Sequence, residues 1–99
     1  MIINEKITRF NIQDYLKTPE DVSGYLEAAM EENDPEFLIT VIRDILQSEG
    51  YTKMAKKTGL TREGLYNSFS GETDPKIGTI YKVLNSVGLT LSVVPMKFL

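Results

Sequence analysis

The 99-residue chain contains neither cysteine nor histidine, and the two absences together remove much of enzyme chemistry. Without cysteine there is no disulfide to staple a small core and no thiolate metal site, which suits a reducing cytosol. Without histidine the commonest zinc ligand and the usual general base are gone, and with them any Ser-His or Cys-His nucleophile pair. Long apolar runs are lacking too. No stretch approaches the roughly 18 residues that a membrane span needs, and Met1 to Phe10 is interrupted by Asn4, Glu5, Lys6 and Arg9 where a signal peptide requires continuous apolar sequence. Carboxylates are plentiful, but they fall on solvent-facing helical positions without a partner base or metal cluster. The expectation is a cytoplasmic protein that is not an enzyme, with no cofactor, no metal and no membrane association.

What is present fits one domain, because a chain this short buries only about two-thirds of its unfolded surface and cannot support a second core. The net charge of −3 conceals a division along the chain. Residues 1–50 carry four basic and eleven acidic side chains, a net of −7, whereas residues 51–99 carry seven basic and three acidic, a net of +4. Two surfaces with different partners are expected, the basic one compatible with phosphates.

Helix signals punctuate the middle of the chain. At Thr18-Pro19-Glu20-Asp21 a capping hydroxyl precedes proline at the first helical position, with acids where the helix dipole favours them. Val22, Tyr25, Leu26, Ala29 and Met30 then fall on one face of a helix to about Glu32. Asp34-Pro35 opens a second, with Leu38, Val41, Ile42, Ile45 and Leu46 on its stripe and Gly50 at its end. Beyond Tyr51 the elements shorten: a two-turn helix capped by Thr52 and stopped by Gly59, then a helix from Arg62 to about Phe69 capped by Thr61. The last helix places Ile77, Ile80, Tyr81, Leu84 and Val87 on one side and ends at Gly88. Thr90 to Val94 alternates as a short strand, and Ile2 to Phe10 is a weaker strand candidate. The parts are an N-terminal arm (1–17), a helical core (18–88) and a C-terminal strand and tail (89–99) whose apolar residues call for cover by pairing across a two-fold axis.

The segment from Thr52 to Phe69 has the residues that a helix-turn-helix requires. Ala55 is small where the helices meet, Gly59 bends the chain, Leu60 plugs the corner, and Leu65 with Phe69 anchors the second helix. With Leu65 and Phe69 inward, Arg62, Glu63, Tyr66 and Asn67 lie on the outward arc. Their chemistry suits a major groove: Arg62 for guanine O6 and N7, Asn67 for adenine N6 and N7, Glu63 for cytosine N4, and Tyr66 for a thymine methyl or a phosphate. Thr52, Lys53, Lys57, Thr61 and Lys76 are the expected backbone contacts. Gly64 stands out, since glycine inside a helix costs about 1 kcal/mol relative to alanine.

Nearly the whole chain, from about Phe10 to Val94, resembles the addiction-module antidote proteins, HigA-like antitoxins with a Cro/C1-type helix-turn-helix. The resemblance is carried by Leu16-Lys17-Thr18-Pro19-Glu20-Asp21, by Tyr25 to Ala29, by Asp34-Pro35, by Leu65-Tyr66, and by Leu84 to Leu91. Its most specific part is the run Ala55-Lys56-Lys57-Thr58-Gly59-Leu60-Thr61-Arg62-Glu63. Lys53 stands where many relatives of the wider repressor superfamily have glutamine, and Gly64 where serine or alanine is usual. The resemblance implies a mainly α, five-helix Cro/C1 repressor-like domain with short terminal β-strands. It also implies a homodimer that binds double-stranded operator DNA, represses its own operon and neutralises a RelE/ParE-like toxin. Two other readings fit the residues: a phage-type repressor with no toxin partner, and a toxin-binding module in which DNA binding is vestigial. For the latter, the acidic Glu20, Asp21, Glu27, Glu31, Glu32 and Glu36 would meet a basic partner.

Overall fold

The computed structural model describes residues 16–96, and among them the chain forms five α-helices and no strand. They are α1 (Pro19–Met30), α2 (Pro35–Glu49), α3 (Tyr51–Thr58), α4 (Arg62–Ser68) and α5 (Ile77–Ser86). The helix α2 packs against α1 and α3, and α3 in turn packs against α4 and α5. The core is built from Val22, Leu26 and Ala29 of α1, Val41, Ile42, Ile45 and Leu46 of α2, Met54 of α3, Leu65 and Phe69 around α4, and Val83 and Leu84 of α5.

The helix starts are local chemistry. Thr18 accepts from the Asp21 amide at 3.1 Å, while the Asp21 carboxylate accepts from the amides of Thr18 and Lys17 at 3.2 and 3.0 Å. Both ends of a capping box are thus closed ahead of Pro19. At the start of α2 the cap is one-sided: the Asp34 carboxylate accepts from the amides of Glu36 and Phe37. At the far end of α5, Gly88 is left-handed (φ 85°). Leu89 N–H bonds Leu84 O at 2.9 Å and Gly88 N–H bonds Asn85 O at 3.1 Å, a Schellman closure that lays Leu89 on the core.

Several sequence expectations change. No strand forms over Thr90 to Val94, because a strand requires a ladder and no described residue offers one. The other strand candidate, Ile2 to Phe10, lies outside the described residues. Thr52 is not the cap of α3: that helix begins at Tyr51, two residues earlier than a Thr52 cap requires, and its cap is Gly50 (φ 97°) with no side-chain bond. The helix α4 closes at Ser68, with Phe69 as its cap residue. On α5 the buried stripe runs through Ile80, Val83, Leu84 and Val87, while Ile77 and Tyr81 face outward. The spacing permitted either face, and contact with Met54 and α3 selects the one carrying Val83. Met30 is likewise outside the core, at the exposed end of α1.

Candidate nucleic-acid interface

The turn between α3 and α4 is held by three kinds of interaction. Gly59 adopts φ 79°, which an L side chain rarely takes, and its amide bonds Ala55 O at 2.9 Å. Thr58 clasps the bend: its hydroxyl donates to Met54 O at 2.8 Å and accepts from Leu60 N–H at 3.2 Å. Thr61 then caps α4 by accepting from Gly64 N–H at 2.9 Å. Leu65 and Phe69 are fully buried, so the rotation of α4 about its axis is fixed.

That rotation leaves Arg62, Glu63, Tyr66 and Asn67 exposed together on one face of α4. The Tyr66 ring is braced by Tyr51, the first residue of α3, in an edge-to-face contact with centroids 5.7 Å apart. Both tyrosines therefore belong to one rigid corner. The Tyr51 hydroxyl is buried without a hydrogen-bond partner. Burial holds its pKa above the usual tyrosine value; Arg43 opposes this, while Tyr66 and Asp44 add to it. The hydroxyl of Tyr25 on α1 is pushed the same way by burial and by Asp44, to which it donates at 3.4 Å.

Beside the α4 face lies an open concavity of about 750 Å³, lined by the first turn of α3 from Gly50 to Lys53, by Lys56 and Lys57, and by Arg62. Four cationic side chains and no carboxylate line it. Because α3 has no side-chain cap, its first-turn amides have no side-chain acceptor, and the helix dipole adds positive potential there. An anion such as a backbone phosphate is the ligand this chemistry fits. Lys53 also pairs with Glu49 at 3.0 Å across one helical turn.

The concavity gathers Thr52, Lys53, Lys57 and Arg62 from the residues expected at the DNA, with Glu63, Tyr66 and Asn67 on the adjoining helix. Thr61 is exposed but already employed as a cap, and Lys76 stands at the start of α5, outside the concavity. Sequence reasoning missed Lys56, although it belongs to the same basic run, and it missed Tyr51. It also missed Arg43 of α2, whose guanidinium Nε–H donates to Phe69 O at 2.8 Å and so ties α2 to the end of α4.

A small, mainly helical domain with a cationic concavity beside an exposed polar helix is the class of protein the described residues define. The family described as probable addiction module antidote protein matches residues 6–95, and the chain belongs to that family. An uncharacterized protein of Haemophilus influenzae is 27% identical over 96 residues, which span 97% of this chain and 99% of that relative. No solved structure matches the chain. Membership makes the chain an antitoxin of a toxin–antitoxin module, with a toxin as its partner. No helix among the described residues is long and apolar enough to cross a membrane.

Proposed function

We propose that α3, its turn and α4 form a Cro/C1-type helix-turn-helix, and that the protein binds its own operator as a homodimer while neutralising a RelE/ParE-like toxin. The observation that carries this reading is the cationic concavity at the uncapped start of α3, directly beside the exposed face of α4. Phosphates seated at Gly50 to Lys53 and along Lys56 and Lys57 would hold the duplex, and Arg62, Glu63, Tyr66 and Asn67 would enter the major groove. The acidic first half of the chain repels DNA, which leaves Glu27, Glu31, Glu32 and Glu36 exposed for a basic toxin.

A gel shift on the DNA upstream of the gene, at low salt, is the direct test. Binding should fall steeply with salt, roughly 10³- to 10⁵-fold between 50 and 200 mM for about six to ten phosphate contacts. Footprints should show two half-sites about 34 Å apart, or a multiple of that spacing. Arg62→Ala should cost about 1–3 kcal/mol and relax preference at one base pair. Absence of any shift with folded protein at low salt would reject the operator reading and leave the toxin-binding module standing.

A further inference from the structure

The cationic surface continues past the first concavity. A second open hollow of about 390 Å³ adjoins it, and Lys53 and Lys57, one helical turn apart on α3, line both. The far wall of the second hollow joins two chain segments distant in sequence, the start of α1 from Lys17 to Pro19 and the end of α5 from Ser86 to Gly88. These segments touch: a Cβ built on Gly88 would lie 3.2 Å from Pro19 Cγ. Folding thus carries Lys17, which belongs to the acidic half of the chain, to the edge of the basic one.

The geometry points to a phosphate-binding subsite in this second hollow, with Lys17 as its outer cation and Lys57 shared with the first concavity. The occupant is the DNA strand seated at the start of α3, so the inference deepens the operator-binding reading and rests on it. Three lysines and one carboxylate, Glu49, line the hollow. Glu49 is paired with Lys53, which leaves Lys17 and Lys57 without an ion pair among the described residues. The acids nearest Lys17 do not quench it. Neither Glu20 nor Asp21 lines the hollow, and the Asp21 carboxylate is turned back onto the amides of Lys17 and Thr18. Those same bonds close the start of α1, so the lysine side chains, not helix amides, supply the attraction. Charge also selects the occupant. Residues 1–15 carry two acids and two bases and bring no net negative charge, and a basic toxin is repelled. A DNA strand offers a phosphate about every 3.4 Å along its axis. Lys53 and Lys57 are separated by about 6 Å of helical rise, so a strand held at Lys53 carries further phosphates past Lys57 toward Lys17.

The test uses the full chain, a duplex from the DNA upstream of the gene and an unrelated duplex of equal length. Lys17→Gln should weaken both by the same factor, roughly 3- to 10-fold at low salt, and reduce the salt slope by about 0.9 per bound protomer. The deficit should therefore narrow about 3-fold per protomer between 50 and 200 mM salt. Lys17→Arg should bind as wild type. Helical circular dichroism and the urea midpoint should not move, because Lys17 enters the cap only through its backbone amide. Lys82→Gln is the control: it removes the same charge from α5, where Lys82 is exposed and lines neither hollow, and it should leave the slope unchanged. Equal losses from Lys17→Gln and Lys82→Gln would reduce Lys17 to general charge and overturn the subsite. Wild-type binding by Lys17→Gln overturns it too. In that event, saturable shifts of the Lys17 and Gly88 amide resonances with millimolar inorganic phosphate would assign the hollow to a free anion. Wild-type protein that binds neither duplex removes the operator reading and the subsite together, whereas a defect specific to Lys17→Gln upholds both.

Discussion

Arg43 and Phe69 are joined by a 2.8 Å hydrogen bond from the guanidinium Nε to the carbonyl oxygen, so a side chain on α2 fixes the last turn of α4. The carbonyl sits at a helix C-terminus, where a cation is favoured, and Phe69 itself is fully buried. The bond is charge-assisted and only part-buried. Arg43→Met should therefore cost about 1.5–3 kcal/mol in urea unfolding, because it orphans a carbonyl. Arg43→Lys should recover only part of that, since an ammonium lacks the planar fork that reaches the carbonyl from α2. Full recovery by lysine would mean that charge alone, without the Nε geometry, holds α4.

Gly64 is explained by the cap of its own helix. A Cβ built there would lie 2.8 Å from Thr61 Oγ1, the atom that accepts the Gly64 amide. Gly64→Ala should gain about 1 kcal/mol of helix propensity and lose about 1 kcal/mol of capping as Thr61 rotates away. The net change in unfolding free energy should be close to zero. In a Thr61→Ala background the same substitution should stabilise by the full amount, so the two changes should be non-additive by about 1 kcal/mol. Simple additivity would show that the cap tolerates the methyl group.

Much of this was legible in the sequence because the interactions are local. Thr18 with Asp21, Asp34 with Pro35, and Gly59 with Thr61 each sit within a few residues of what they cap, so the pattern carries the geometry. Leu65 and Phe69, four apart, fixed which side of α4 would face out. The failures involve distance along the chain. Arg43 and Phe69 are 26 residues apart and nothing in either neighbourhood announces the other. The stripe on α5 was misread because Tyr81 and Val83 are both compatible with helical spacing, and only contact with α3 decides between them. Thr90 to Val94 has strand composition, but composition cannot supply the second strand.

On the proposed DNA-binding reading, Glu49 would compete with a backbone phosphate for Lys53. The two side chains meet at 3.0 Å, with Lys53 more than half exposed, so the pair contributes no more than about 0.5 kcal/mol to folding. A phosphate at the start of α3 would have to displace that carboxylate. Glu49→Gln should leave stability almost unchanged, raise affinity for every DNA sequence alike, and steepen the salt dependence by roughly one phosphate contact. A gain confined to the operator, with no change in salt slope, would place Lys53 away from the backbone.

Tyr51 offers a case in which removing a polar group should help. Its hydroxyl is buried and unpartnered, and such a group costs about 1–3 kcal/mol, whereas its ring is needed against Tyr66. Tyr51→Phe keeps the ring and should stabilise the protein by about 1 kcal/mol at neutral pH. The alkaline limb supplies an independent check. Burial raises the folded-state pKa of both Tyr25 and Tyr51 above the ordinary value of 10.0. The native chain therefore holds these protons more tightly than the unfolded chain does. The associated stability is fully present below pH 10 and is lost as pH rises through the higher folded-state values. Tyr51→Phe should make that loss shallower without abolishing it, because Tyr25 remains beside Asp44. If the variant is instead less stable at pH 7 while its alkaline limb is unchanged, the Tyr51 hydroxyl has a partner in solution and the corner joining α2, α3 and α4 is wetter than its packing implies.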